Sequence, residues 1–259
     1  MKIKDTVHHQ LYKHLFLLFL LVVCVVTSAR VTDAVASDVF NNLDQMALFL
    51  KRFLSPDWSY IPKIIAPMIK TIKMSVVGTT IGVLLAIPFA FLGTTIVTRN
   101  PILTTIIRFF MGVIRTIPNL LLAALFVAMV GIGEFTGVLT IAVFTFGMVS
   151  QLIFEAIEII DLGPIEAAES VGANKWQIAF WSIGPQISHQ IVSYALYAFE
   201  VNIRASTILG YVGAGGIGVI LQTSLSLLRY DRVSIIIFSI LVVVIVIDTV
   251  SEQIRKRLV

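Results

Sequence analysis

The residues with chemical potential are few and fall in three places. Glu200 and Arg204 stand four positions apart in one apolar run, and Asp248 closes another. Glu166 and Glu169 flank Ala167 and Ala168 in a short polar stretch. Gly213, Gly215 and Gly218, with Gly216 among them, fit the pattern Gly-x-Gly-x-x-Gly. At helical spacing Glu200 and Arg204 share a face and neutralise each other as an internal ion pair. Alternatively, Arg204 offers a guanidinium to an anion whose oxygens sit on phosphorus. Asn202 does not share that face. Asp248 reads as a bundle-facing or interfacial polar residue rather than a proton relay, and His189 as an interfacial one. The glycines would hold a dinucleotide only inside a strand-turn-helix unit. An apolar helix precedes them instead, so they read either as a tight connection or as a gate or hinge between helices, both of which glycine permits.

These residues need elements to hold them, and composition decides which. The chain has 259 residues, 58% of them hydrophobic and 13% charged, with a mean hydropathy of +0.96. Soluble domains carry about a quarter charged residues, so an ordinary soluble enzyme, a disordered chain and a coiled coil are excluded. The one cysteine, Cys24, excludes a disulfide framework and a cysteine metal site within one chain. Three of the four histidines (His8, His9, His14) lie near the N-terminus, which argues against a histidine metal site. The net charge of +4 is spread along the chain, with no basic block suited to nucleic acid. The solvent this composition fits is the lipid bilayer.

A helical crossing needs roughly 20 apolar residues. The runs predict an all-α, polytopic membrane bundle with about six crossings, near 15–29, 74–97, 113–131, 135–155, 187–210 and 233–250. The first run follows a leader with Lys2, Lys4 and Lys13. Val26-Thr27-Ser28-Ala29 would suit a cleaved signal peptide, but an uncleaved helix fits better with the membrane-type sequence that follows. Phe40, Leu43, Met46, Ala47 and Leu50 recur at helical spacing and predict an amphipathic surface helix, with a partly ordered external loop as the alternative. Pro56, Pro62 and Pro67 are then expected to break the pattern. Residues 1–69 thus form an N-terminal helix plus external segment, and 70–255 the main transmembrane domain. Arg99, Arg108 and Arg115 fill the second connection, Pro118 kinks or breaks the third crossing, and Gly131-Ile132-Gly133-Glu134 turns tightly into the fourth. Gly78 and Gly82 have the small-xxx-small spacing that lets helices approach. Six crossings place both termini on one side, which collects ten basic residues against eight; the basic ends favour the cytoplasm for that side.

The fourth connection, 155–186, holds Asp161-Leu162-Gly163-Pro164-Ile165-Glu166-Ala167-Ala168-Glu169-Ser170-Val171-Gly172. Pro164 suits a first helical position, with Gly163 capping it, and Glu166 and Glu169 suit the positive helix N-terminus. Gly172 suits a left-handed stop. Two turns of helix span nothing; they present a small surface to a partner.

This stretch resembles the permease subunits of ATP-binding-cassette importers, whose cytoplasmic loop carries Glu-Ala-Ala, three residues, Gly, nine residues, then an apolar position two before Leu-Pro. Here Glu166-Ala167-Ala168, Gly172 and Pro185 keep the spacing, while Ser182 takes the apolar position and Gly184 that of Leu. The likeness extends over about 70–255 to the phosphonate-type branch. It is carried by Arg115-Thr116-Ile117-Pro118, Glu155-Ala156-Ile157-Glu158, Asp161-Leu162-Gly163-Pro164, Gly184-Pro185-Gln186, Phe199-Glu200-Val201-Asn202-Ile203-Arg204 and Val212-Gly213-Ala214-Gly215-Gly216-Ile217-Gly218.

The resemblance implies a type I importer permease, a homodimer in the bacterial cytoplasmic membrane, served by two ATPase subunits and a separate substrate-binding protein. It makes Glu166, Ala167, Ala168, Glu169 and Gly172 the ATPase-coupling loop, and phosphonates or related phosphorus oxyanions the cargo. No Gly-x-x-x-x-Gly-Lys-Ser/Thr phosphate loop occurs, so this chain is not expected to hydrolyse ATP itself; the resemblance implies a translocating subunit that is not an enzyme and binds no cofactor, with ATP and Mg on the partner ATPase. An ion-coupled secondary transporter of a small anion, using Glu200, Arg204 or Asp248, is the rival reading. An intramembrane enzyme is a third, disfavoured because His189 and Asp248 have no evident shared depth.

Overall fold

A computed structural model describes residues 11–32, 40–98 and 100–258. Lys2, Lys4, His8, His9 and Arg99 lie outside the described residues. The chain divides into two compact units, Met1–Arg52 and Phe53–Val259. The first contains α1 (Leu11–Val31) and all but the end of α2 (Leu43–Phe53), neither of which buries a residue. The helix read from the Phe40–Leu50 periodicity is therefore present.

The second unit opens with α3 (Ile61–Gly93), which begins well before the expected Met74. Pro62 and Pro67 do not break it. Pro62 falls in the first turn, where no N–H is needed. Pro67 sits inside the helix, and its carbonyl accepts a bond from the Thr71 hydroxyl at 3.0 Å. Packed apolar helices tolerate such interruptions when neighbours re-satisfy the backbone.

The expected second connection is instead a helix. Asn100 caps α4 (Pro101–Thr116) by accepting from the Ile102 and Leu103 amides at 3.0 and 3.3 Å, so Arg108 and Arg115 are helical residues. The third crossing, expected over 113–131, is a bent pair: α4 and α5 (Asn119–Val130) meet at 91°. Pro118 causes this by barring Ile117 from helical backbone, and Ile117 is extended at φ −75°, ψ 120°.

Gly131 and Gly133, at φ +96° and +152°, then turn the chain into α6 (Glu134–Glu158), the most buried crossing. α6 packs along α3 because glycine faces it. A Cβ on Gly78 would lie 2.6 Å from Ile141 Cγ2, and one on Gly82 would lie 2.6 Å from the Ala142 carbonyl. The short helix α7 (Gly163–Ser170) leads to one turn at Lys175–Gln177, a π-helical turn at Ile178–Ile183, and α8 (Gly184–Leu209). A 50° bend separates this helix from α9 (Ile217–Ser226), and α10 (Tyr230–Leu258) closes the chain. Among the described residues, four helices are long and apolar enough to cross a membrane, or up to six if each bent pair is one span.

The main core joins Ala86 and Ala90 of α3, Met111 of α4, Val149 and Ile153 of α6, and Ile183 and Ile187 at the root of α8. That core reaches Ile165, and so anchors the α7 loop to the bundle.

Candidate functional site

The loop that carries Glu166 is built outward from one buried residue. Ile165 is 5% exposed and packs into the core with Ile178, Ala179 and Ile183. Glu166, Ala167 and Glu169 of α7 are exposed. The Asp161 carboxylate accepts from the Gly163 amide at 3.0 Å and shapes the entry, while Pro164 occupies the first turn. Gly172 ends the helix at φ +81°, a left-handed conformation that glycine adopts without a Cβ clash. There the Gly172 and Ala173 amides bond to the Glu169 and Ala168 carbonyls, both at 3.0 Å. A capping box between Asn174 and Gln177 restarts the chain. Trp176, Phe180 and Trp181 are exposed beside the loop.

The intramembrane charges are arranged differently from the expected internal pair. Glu200 and Arg204 each reach across to α10: Glu200 accepts from Arg255 at 2.8 Å, and Arg204 donates to both oxygens of Asp248 at 3.3 Å. Glu200 is 6% exposed. The Arg204 and Asp248 side chains are 53% and 41% exposed, so this second pair lies on the outer face of the chain. The two bonds staple α8 to α10, where antiparallel packing brings together charges 44 and 55 residues apart.

Between these charges lies a residue to which spacing assigned no role. Asn202 is 1% exposed and donates to the Thr79 and Thr145 hydroxyls at 2.8 and 2.7 Å, joining α8 to α3 and α6. Ser75 and Ser206 add a hydroxyl contact at 3.1 Å. The signal was present: small polar residues inside apolar runs bond across helices. Their partners were not readable.

Gly213, Gly215 and Gly216 take φ values of +85°, +83° and +73°. Their turn is pinned: the Gly133 amide bonds to the Gly213 carbonyl at 3.0 Å, and the Ile217 amide to the Thr71 hydroxyl at 2.7 Å. Gly218 packs against Gly210 and the Thr207 carbonyl. Beside them Lys70 pairs with Glu134 at 2.6 Å. The connection is a tight, hydrogen-bonded turn, and no strand occurs among the described residues, so the dinucleotide geometry is not formed. The structure does not bring the α7 loop, the charge pairs and the glycine turn into one site.

Several helices long and apolar enough to cross a bilayer, with an exposed short helix between two of them, fit a multi-pass membrane protein. The binding-protein-dependent transport system inner membrane component family matches residues 78–259, and the chain belongs to that family. It is 36% identical over 222 residues to the phosphite transport system permease protein PtxC of Stutzerimonas stutzeri, covering 86% of this chain and 81% of that protein. It is 40% identical over 190 residues to the phosphate-import permease protein PhnE of Mycolicibacterium smegmatis, covering 73% of this chain but only 36% of that protein. The fold matches a chain of the MetNI methionine ABC transporter in an inward-facing conformation, with a TM-score of 0.68 and 19% identity over 78% of this chain and 99% of that one. The chain is thus an importer permease subunit of the inner membrane with a type I fold, and not an enzyme. Its family works with ATPase subunits and a substrate-binding protein.

Proposed function

We propose that the cargo is a phosphorus oxyanion, namely phosphite, phosphate or a phosphonate, delivered by the binding protein and moved through a homodimer of this chain. The names of the relatives that align over most of the chain support the cargo class. The half-exposed Arg204–Asp248 pair supports the dimer: a charge near the bilayer centre costs about 2.5–3.5 kcal/mol on insertion scales, so this face turns to protein or water rather than lipid. Arg204 then borders the path, held by Asp248 with its exposed guanidinium turned to phosphorus-bound oxygens, while buried Glu200 fixes the helix behind it.

Both termini are cytoplasmic in this reading. ATP and Mg bind the ATPase, which docks on Glu166, Ala167, Ala168, Glu169 and Gly172, and the turn at Gly213, Gly215, Gly216 and Gly218 forms the outer gate. The observation that carries the docking assignment is α7 itself, anchored by buried Ile165 with Glu166 and Ala167 facing out.

The test is co-purification with the ATPase and binding protein, followed by ATP hydrolysis with phosphite, phosphate or methylphosphonate. Stimulation by at least one of these and loss of coupling in Glu166→Arg are expected. Stimulation by none of them overturns the cargo class, and intact coupling in Glu166→Arg overturns the docking assignment.

A further inference from the structure

The two positions where the chain departs from the importer loop pattern, Ser182 and Gly184, lie together at the joint between α7 and α8. Ser182 occupies a position that is usually apolar. It is 6% exposed, and its hydroxyl donates to the Pro164 carbonyl at 3.2 Å, in the first turn of α7. One turn further on, the Gln186 amide donates to the Asp161 carbonyl at 3.2 Å and to the Ser182 carbonyl at 2.9 Å. The Ser182–Pro164 and Gln186–Asp161 bonds reach back across the loop, over sequence separations of 18 and 25 residues, onto the segment that starts α7.

Gly184 explains the shape of the joint. Residues Ile178–Ile183 form a π-helical turn, closed by the Gly184 amide on the Ala179 carbonyl. A Cβ at Gly184 would lie 3.2 Å from that carbonyl, closer than side chains ordinarily come. A π turn is a local widening of the helix, found mostly as isolated single turns. It is a break in α-helical geometry between the α7 loop and the helix that carries Glu200 and Arg204.

From this geometry we infer that Ser182 and Gln186 are positioning residues for coupling. They latch the first turn of α7 to the root of α8, so that motion of the loop is passed to α8 instead of being absorbed in the π turn. The role rests on the importer reading above and adds to it two residues with no contact to cargo or to ATP.

The test uses the transporter assembled with its ATPase and binding protein, in proteoliposomes, with phosphite as the transported probe. Phosphite taken up per ATP hydrolysed falls about fivefold in Ser182→Ala and in Gln186→Leu, the factor set by one lost hydrogen bond. Ser182→Thr, which keeps the hydroxyl, restores the ratio. A second readout needs no cargo: spin labels at Ser170→Cys and Ser188→Cys, with Cys24 replaced, report the distance between α7 and α8. That distribution broadens in Ser182→Ala and Gln186→Leu and stays narrow in Ser182→Thr. Unchanged widths, or an unchanged ratio in a wild type that transports, overturn the latch. Loss of assembled complex in both variants also overturns it, because the bonds would then serve folding alone. A wild type that transports no phosphorus oxyanion overturns the cargo reading and leaves the distance measurement to decide the latch.

Discussion

Glu200 and Arg255 meet at 2.8 Å across α8 and α10, with the carboxylate buried and the guanidinium side chain 32% exposed. Removing one partner of a buried pair strands the other charge, whereas removing both is far milder. Because Arg255 keeps access to solvent, Glu200→Ala should cost about 2–3 kcal/mol, below the upper range for fully buried pairs. Glu200→Ala combined with Arg255→Ala should recover at least half of the loss. Thermal unfolding of the four-member mutant cycle in detergent checks this, and strict additivity would show that the pair contributes no coupling.

Arg108 ties three helices at one point. Its Nε donates to the Gly93 carbonyl at 2.9 Å, its terminal nitrogen to Glu158 at 2.7 Å, and its guanidinium lies 4.3 Å from the Phe154 ring centre. A lysine has no planar fork to serve all three partners. Arg108→Lys should therefore lower stability by about 1–2 kcal/mol even though the charge is kept. An unfolding midpoint equal to the wild type would remove this residue from the ends of α3 and α6.

Gly78 and Gly82 should resist even a methyl group. Alanine at either would press on Ile141, Ala142 or Thr145 and cost about 1–3 kcal/mol through overpacking. A Cβ added to Gly112, on α4, would meet nothing within 4 Å, so Gly112→Ala should be neutral or stabilising by up to about 1 kcal/mol. Unfolding midpoints of the three single variants check the contrast.

Asn202→Leu is expected to be modest despite complete burial. It forfeits two bonds to Thr79 and Thr145, each worth about 0.6 kcal/mol in membrane interiors. It also removes an amide oxygen, Oδ1, that is buried without a protein partner, and that offsets part of the loss. A cost of roughly 1 kcal/mol is expected. A drop of several times that in an unfolding assay would give Asn202 a larger share in holding α3, α6 and α8 together.

What was legible in the sequence followed from one-dimensional regularities. Apolar run lengths set the class and the approximate crossings. Glu166-Ala167-Ala168 with Gly172 gave the loop, its stop and its family, because capping and left-handed glycine are local properties. Asn100-Pro101 was a readable helix start that arginine content obscured, so α4 passed for a connection. The hinge at Pro118 was visible, but its 91° angle depends on packing. The partners of Glu200 and Arg204 were not legible: spacing of four suited an internal pair, and only antiparallel packing of α8 on α10 brings Arg255 and Asp248 within reach. Ser182 stood out as a departure, but its meaning needed the Pro164 carbonyl beside it.

The place where Arg255 touches α8 also sets a length. Glu200 lies sixteen residues beyond Gly184, so about 24 Å of α8 runs past the contact toward the loop. That stretch is not free, because Ile183 and Ile187 at its loop end are buried in the main core with Val149 and Ile153 of α6. A tilt of α8 by about 10° about the Glu200–Arg255 bond would carry the loop end roughly 4 Å. The core around Ile183 and Ile187 would have to travel with it, so α7 and α6 would move as one block against α10.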